Sequence, residues 1–145
     1  MGTTVTTSGT VADPAAAAGG GTTIYRGGDW AVVVDGSKAV ALHLAGGEWQ
    51  PDRTGRVKVQ FLGPSSIATP TPQVAAELTG PSKLVESGLW VDGVELVAKG
   101  GGLSPKRGTI YGAPSGSLSP GPHVAVAYAR TATAATAVAR AFKVR

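Results

Sequence analysis

Two histidines, His43 and His123, are the only imidazoles in this 145-residue sequence, and acid–base or metal chemistry would have to start from them. An ordinary structural zinc site takes four Cys or His ligands. With no cysteine, two histidines would need carboxylates beside them, and no close His/Asp/Glu group occurs. His43 lies inside the apolar run Val40 to Leu44, where a lone histidine reads as a half-buried strand residue. Ser115-Gly116-Ser117 offers hydroxyls without a nearby His and Asp to activate them, so it reads as a turn. Gly19-Gly20-Gly21 and Gly100-Gly101-Gly102 are not followed by the Gly-Lys-Ser/Thr that would seat a phosphate, and both read as linkers. The carboxylates Asp29, Asp35, Glu48, Asp52, Asp92 and Glu95 sit mostly in turn contexts, with nothing to single out a hydrolytic pair. This inventory points away from an enzyme, a bound metal and a cofactor.

Binding has more support. Trp30 and Trp90 begin or interrupt apolar runs and are expected in the core, whereas Trp49, in GGEWQPDRTG, is expected on a loop where it could anchor an interface or stack on a sugar. The net charge of +4 is unevenly placed: after Glu95 no acid remains, while Lys99, Lys106, Arg107, Arg130, Arg140, Lys143 and Arg145 follow. Such a basic last third attracts acidic surfaces, in a salt-screened and non-specific way. Nucleic acid is disfavoured, because the cations are scattered and only Tyr111, Tyr128 and Phe142 are there to stack on bases. Trp49, Arg130, Arg140 and Arg145 are the candidate interface residues of the body, and Val5 and Val11 those of the N-terminal tract.

The elements that must position these residues are short. With 22 Gly and 10 Pro the chain is cut into strands and turns. Thr22 to Tyr25, Trp30 to Val34 and Ala39 to Leu44 are β-rich, with a tight turn expected at Asp35-Gly36. Ala45 to Gly55 reads as a loop, and Arg56 to Leu62 as a strand in which Val57, Val59 and Phe61 alternate with Lys58 and Gln60. The proline-rich stretch 63–72 is the best boundary. Strands are expected at 74–78, 88–91, 94–97, 109–111, 123–129 and 137–144, with a second hairpin turn at Asp92-Gly93. Alanine propensity alone would make 125–141 helical. The alternation of Val124, Val126 and Tyr128, and of Val138, Arg140, Phe142 and Val144, favours strands, with Arg140 unexpectedly on the apolar parity.

Residues 1–21 are a Thr, Ala and Gly tract with too few large apolar side chains to offset the entropy of ordering. An extended arm that takes shape only against another molecule is expected. No basic and apolar leader, and no run approaching about 18 apolar residues, suggests a membrane span or export, so a cytoplasmically made soluble product is expected.

The segments GLWVDGVEL at 88–96, TIYGAPSGSLSPGPHVAVAYART at 109–131 and ARAFKV at 139–144 give the C-terminal half a resemblance to a bacterial immunoglobulin-like module. Within these, Val91-Asp92-Gly93 matches the family's hairpin, Leu118 its leucine-bearing turn, Gly121 with His123 the entry to an alternating strand, and Phe142 with Val144 its last strand. The resemblance implies that His123 is a packing residue. Arg130 and Ala134-Ala135 stand where the family carries an Asp and a Gly-Asn turn, which removes any suggestion of calcium at that corner. The implied architecture is an all-β immunoglobulin-like sandwich (67–145), preceded by a β-hairpin or meander region (22–66) and the arm (1–21). Such modules occur in adhesins and enzymes and on bacteriophage virions. The implied function is that of a non-enzymatic virion structural protein, a capsid decoration or minor capsid component contacting neighbouring capsid or tail subunits or further copies of itself. The alternative is a tail or cell-surface carbohydrate-binding module using Trp49, with a surface glycan as partner.

Overall fold

The computed structural model describes residues 13–145 except 27, 53, 105 and 106, so Val5 and Val11 lie outside the described residues. A single helical turn, α1 (Pro14–Ala17), precedes β1 (Thr22–Tyr25), β2 (Trp30–Asp35), β3 (Lys38–Ala45), β4 (Glu48–Pro51), β5 (Lys58–Leu62), β6 (Ser66–Ile67), β7 (Val74–Thr79), β8 (Glu86–Val91), β9 (Val94–Glu95), β10 (Lys99–Ser104), β11 (Arg107–Gly112), β12 (Gly121–Arg130) and β13 (Ala135–Val144). The chain is all-β in class, and its strands form three sheets: a meander β1-β2-β3-β4, a sheet β10-β11-β7-β5, and a five-stranded sheet β6-β13-β12-β8-β9.

The five-stranded sheet is the middle layer. From one face, Leu89, Val91, Ala125, Ala127, Ala129, Phe142 and Val144 meet Val74, Ala76, Leu78 and Ile110 of the β10-β11-β7-β5 sheet. From the other, Trp90, Val126, Tyr128, Ala135 and Ala137 meet Trp30, Val32 and Ala41 of the meander. A strand covered on both faces has no wet parity to fill with charge, so β12 is apolar along nearly its whole length. Alanine on both faces lets the flanking sheets bring their larger side chains close. Tertiary burial thus overrides the helix propensity of 125–141, and β12 and β13 pair over ten residues, Gly121↔Val144 to Arg130↔Ala135. A short turn closes them: Thr131 is fully buried and its Oγ1 accepts from the amides of Thr133 and Ala134.

Arg140 keeps the parity expected for it because it caps the neighbouring sheet: its guanidinium donates to the carbonyls of Leu62 (3.4 Å) and Gly63 (2.8 Å) at the end of β5.

Four expectations are corrected. Residues 13–21 are not a free arm. Asp13 caps α1 through its side chain, Pro14 is buried, and Ala15 and Ala18 pack on Ala31, Val33, Leu42 and Trp49 of the meander's outer face. Gly21 allows the chain to pass β2, since a Cβ there would lie 2.6 Å from the Val34 carbonyl oxygen at a φ of +118°. Second, 45–55 is not all loop. Gly46 and Gly47, at φ +61° and +80°, supply the two left-handed positions of a tight hairpin, and β4 follows in register Ala45↔Glu48. Third, the boundary at 66/67 runs through β6, and β5 hydrogen-bonds along β7 rather than with the meander. The proline-rich stretch is therefore a crossover between two packed sheets. Fourth, the first turn lies one residue later than expected, at Gly36-Ser37, because Asp35 pairs with Lys38.

Candidate functional site

The largest polar constellation among the described residues lies on the seam between the meander and the middle sheet. Glu86 opens β8 and Arg130 ends β12 opposite it. The Glu86 carboxylate accepts from Arg130 Nε at 2.8 Å and from the Tyr128 hydroxyl at 3.1 Å, and pairs with Arg26 at 3.3 Å. Arg26 follows β1 and reaches across from the other sheet. It also pairs with Glu95 at 3.3 Å, and its guanidinium lies over the rings of Trp90 and Tyr128, 5.1 and 5.7 Å from their centroids. Arg130 lies over Trp30 at 5.4 Å. Burial alone would raise the Glu86 pKa, but the Arg130 hydrogen bond, the Arg26 charge and the Tyr128 hydroxyl outweigh it and hold the carboxyl below its ordinary value. Burial and the Glu86 charge push the Tyr128 hydroxyl well up. The acid stays ionised and the phenol protonated, so this group fastens two sheets and has no proton to exchange near neutrality.

The second group is His123 with Asp92. Asp92 occupies the left-handed position of the β8–β9 turn, φ +49°, followed by Gly93 at +82°. Its Oδ2 lies 2.5 Å from His123 Nδ1, and its Oδ1 accepts from the Val124 amide at 2.9 Å. Nε2 of His123 faces the Ser119 carbonyl oxygen at 2.7 Å, and the ring stacks on Phe142. Both ring nitrogens face acceptors, so the protonated imidazole fits best. The hydrogen bond to Asp92, then that to Ser119, raises the His123 pKa against a smaller opposing effect of burial. An imidazole with both nitrogens engaged has no lone pair for a general base, which leaves His123 the packing role expected of it.

His43 forms the third group. Its Nε2 lies 2.8 Å from Asp29 Oδ2, and its ring stacks on Trp30 with centroids 4.0 Å apart. The His43 hydrogen bond, then Asp29's own backbone amide, lowers the Asp29 pKa. No hydroxyl hydrogen-bonds to either imidazole, and no three His, Cys, Asp or Glu converge, among the described residues.

The expected interface residues separate in the structure. Trp49 is in β4 and only 7% exposed, packed beneath α1 and edge-on to Tyr25, so its expected exposure is corrected. The hairpin that replaced the expected loop turns the ring onto the face that α1 covers. Arg130 and Arg140 are half-buried in the internal contacts above, and Arg145 alone of the four is exposed. Sequence reasoning missed Arg26, Glu86 and Tyr128 as a unit. The available signal was parity: Glu86 shares its strand face with Gly88 and Trp90, and Arg130 shares its face with Tyr128 and Val126.

Under the outer edge of β1 a crevice of about 430 Å³ opens between the meander and the middle sheet, lined by Thr22, Ile24, Val34, Trp90, Val124 and Val126 among others. It is mainly apolar. No helix among the described residues is long and apolar enough to cross a membrane. No protein-family model, curated protein or solved structure matches this chain.

Proposed function

We propose that this chain is a non-enzymatic virion structural protein, a capsid decoration or minor capsid component that works through sheet edges and faces. The observation that carries the reading is how the titratable groups are spent. Glu86, His123 and Asp92 are each committed to contacts that join one strand or sheet to another, leaving surfaces and edges as the means of action. The three-layer body gives such a protein a rigid platform, and the resemblance of its C-terminal half to virion modules supplies the setting. The glycan-binding alternative drew on an accessible Trp49, and with Trp30, Trp49 and Trp90 all buried it has no exposed indole to use. The test is quantitative mass spectrometry of gradient-purified particles from a culture that produces the protein. Co-sedimentation at a fixed copy number per particle is expected. Abundant protein in the lysate with none on the particles overturns the reading.

A further inference from the structure

Among the described residues the three sheets have six edges, and five are blunted in ways that discourage strand addition. β4 carries Glu48 and Pro51, and β5 begins with Lys58. β10 begins with Lys99 and breaks register between Gly101 and Ser104, while β6 and β9 are two residues long. β1 has none of these devices. Its sequence Thr-Thr-Ile-Tyr is uncharged, free of proline and made of strong strand formers.

Its hydrogen-bonding phase is fixed by the bond from the Arg26 amide to the Trp30 carbonyl at 2.8 Å. By alternation, Ile24 and Thr22 direct their backbone groups to β2, whereas Thr23 and Tyr25 direct theirs outward. We infer that β1 pairs antiparallel with β1 of a second copy of this chain about a twofold axis, in the register Thr23↔Tyr25 and Ile24↔Ile24. This rests on the assembly reading and names its partner. In that register the outward amides and carbonyls of both copies are satisfied, and Ile24 faces its counterpart beside the apolar crevice that opens at this edge. Charge favours the same place: copies carrying +4 each repel, and a neutral strip is where they approach at least cost. Four residues a side bury well under the roughly 1,200 Å² of a stable stand-alone interface. The pairing is therefore weak in dilute solution and fills where copies are held close together, as on a particle.

The chain has no cysteine, so a single introduced thiol reports cleanly. Directly opposed residues of a non-hydrogen-bonded antiparallel pair have Cα atoms about 4.5 Å apart, within disulfide range. The full-length Ile24→Cys protein is oxidised at high concentration and compared with Val97→Cys, a thiol at an 86% exposed position outside β1. Cross-linked dimer should form at least ~10-fold faster for Ile24→Cys, as expected where pairing raises the local thiol concentration. Adding Thr23→Pro, which removes an outward donor without breaking the β1–β2 ladder, should return the rate to that of Val97→Cys. Equal rates for the two single-thiol proteins, with native circular dichroism, overturn the pairing. So does cross-linking that appears only after residues 1–12 are deleted, which would mean that the chain's own N-terminal segment occupies the edge. Particle mass spectrometry scores the assembly reading separately, so either can fail without the other.

Discussion

Glu86→Gln tests whether the polar seam holds the meander to the middle sheet. The carboxylate is shared by Arg130, Tyr128 and Arg26 at 2.8, 3.1 and 3.3 Å, and its side chain is 20% exposed. Removing one partner of a fully buried ion pair costs about 3–5 kcal/mol, because the other charge is left stranded. Here Arg130 loses its carboxylate while Arg26 keeps Glu95, solvent reaches the seam and the amide oxygen keeps one acceptor. The expected loss is about 2–3 kcal/mol near pH 7. For a chain of this size that corresponds to a melting temperature lower by roughly 5–10 °C. The folded carboxyl has a lowered pKa, so its contribution is present above 4.5, the ordinary glutamate value, and is lost as pH falls through the folded pKa. Urea unfolding of both proteins at pH 7 and pH 3 reads the effect directly. A gap near 2–3 kcal/mol at pH 7 that narrows toward pH 3 is expected. A pH 7 gap under about 0.5 kcal/mol, the scatter of ordinary surface substitutions, would refute the claim that this carboxylate fastens the sheets.

The His123–Asp92 contact gives the opposite pH dependence. Its folded pKa is raised above 6.5, so the stability it contributes is complete below that value and fades as pH rises through the folded pKa. The His123 ring resonances should titrate with a midpoint above 6.5, moving down in Asp92→Asn, and an unchanged midpoint would exclude Asp92 as the cause. Trp49→Ala should cost about 3–4 kcal/mol in urea unfolding, as for other buried aromatics cut to alanine. A cost below about 1 kcal/mol would instead mark an accessible ring, as surface positions do.

Much of the strand pattern was legible in local chemistry. Alternation of Val57, Val59 and Phe61 with Lys58 and Gln60 set one strand, and Asp92-Gly93 set a hairpin, because both depend only on neighbours along the chain. The Gly46-Gly47 hairpin was equally local and was missed, and the missed turn carried Trp49 from an expected surface position to a buried one. What no local pattern could decide was which sheet each strand joins. The same apolar parity serves a two-layer sandwich or a middle layer covered twice, and only long-range pairing places β5 on β7 and the meander over β12. The Arg26–Glu86–Arg130 seam belongs to that second category, since opposite charges far apart in sequence meet only after two sheets have packed. Sequence by itself determined strand class, turns and the want of thiol chemistry, through backbone sterics and side-chain type. Layer order, the burial of Trp49 and the choice of charge partners were decided by tertiary structure, because they depend on which apolar faces cover one another.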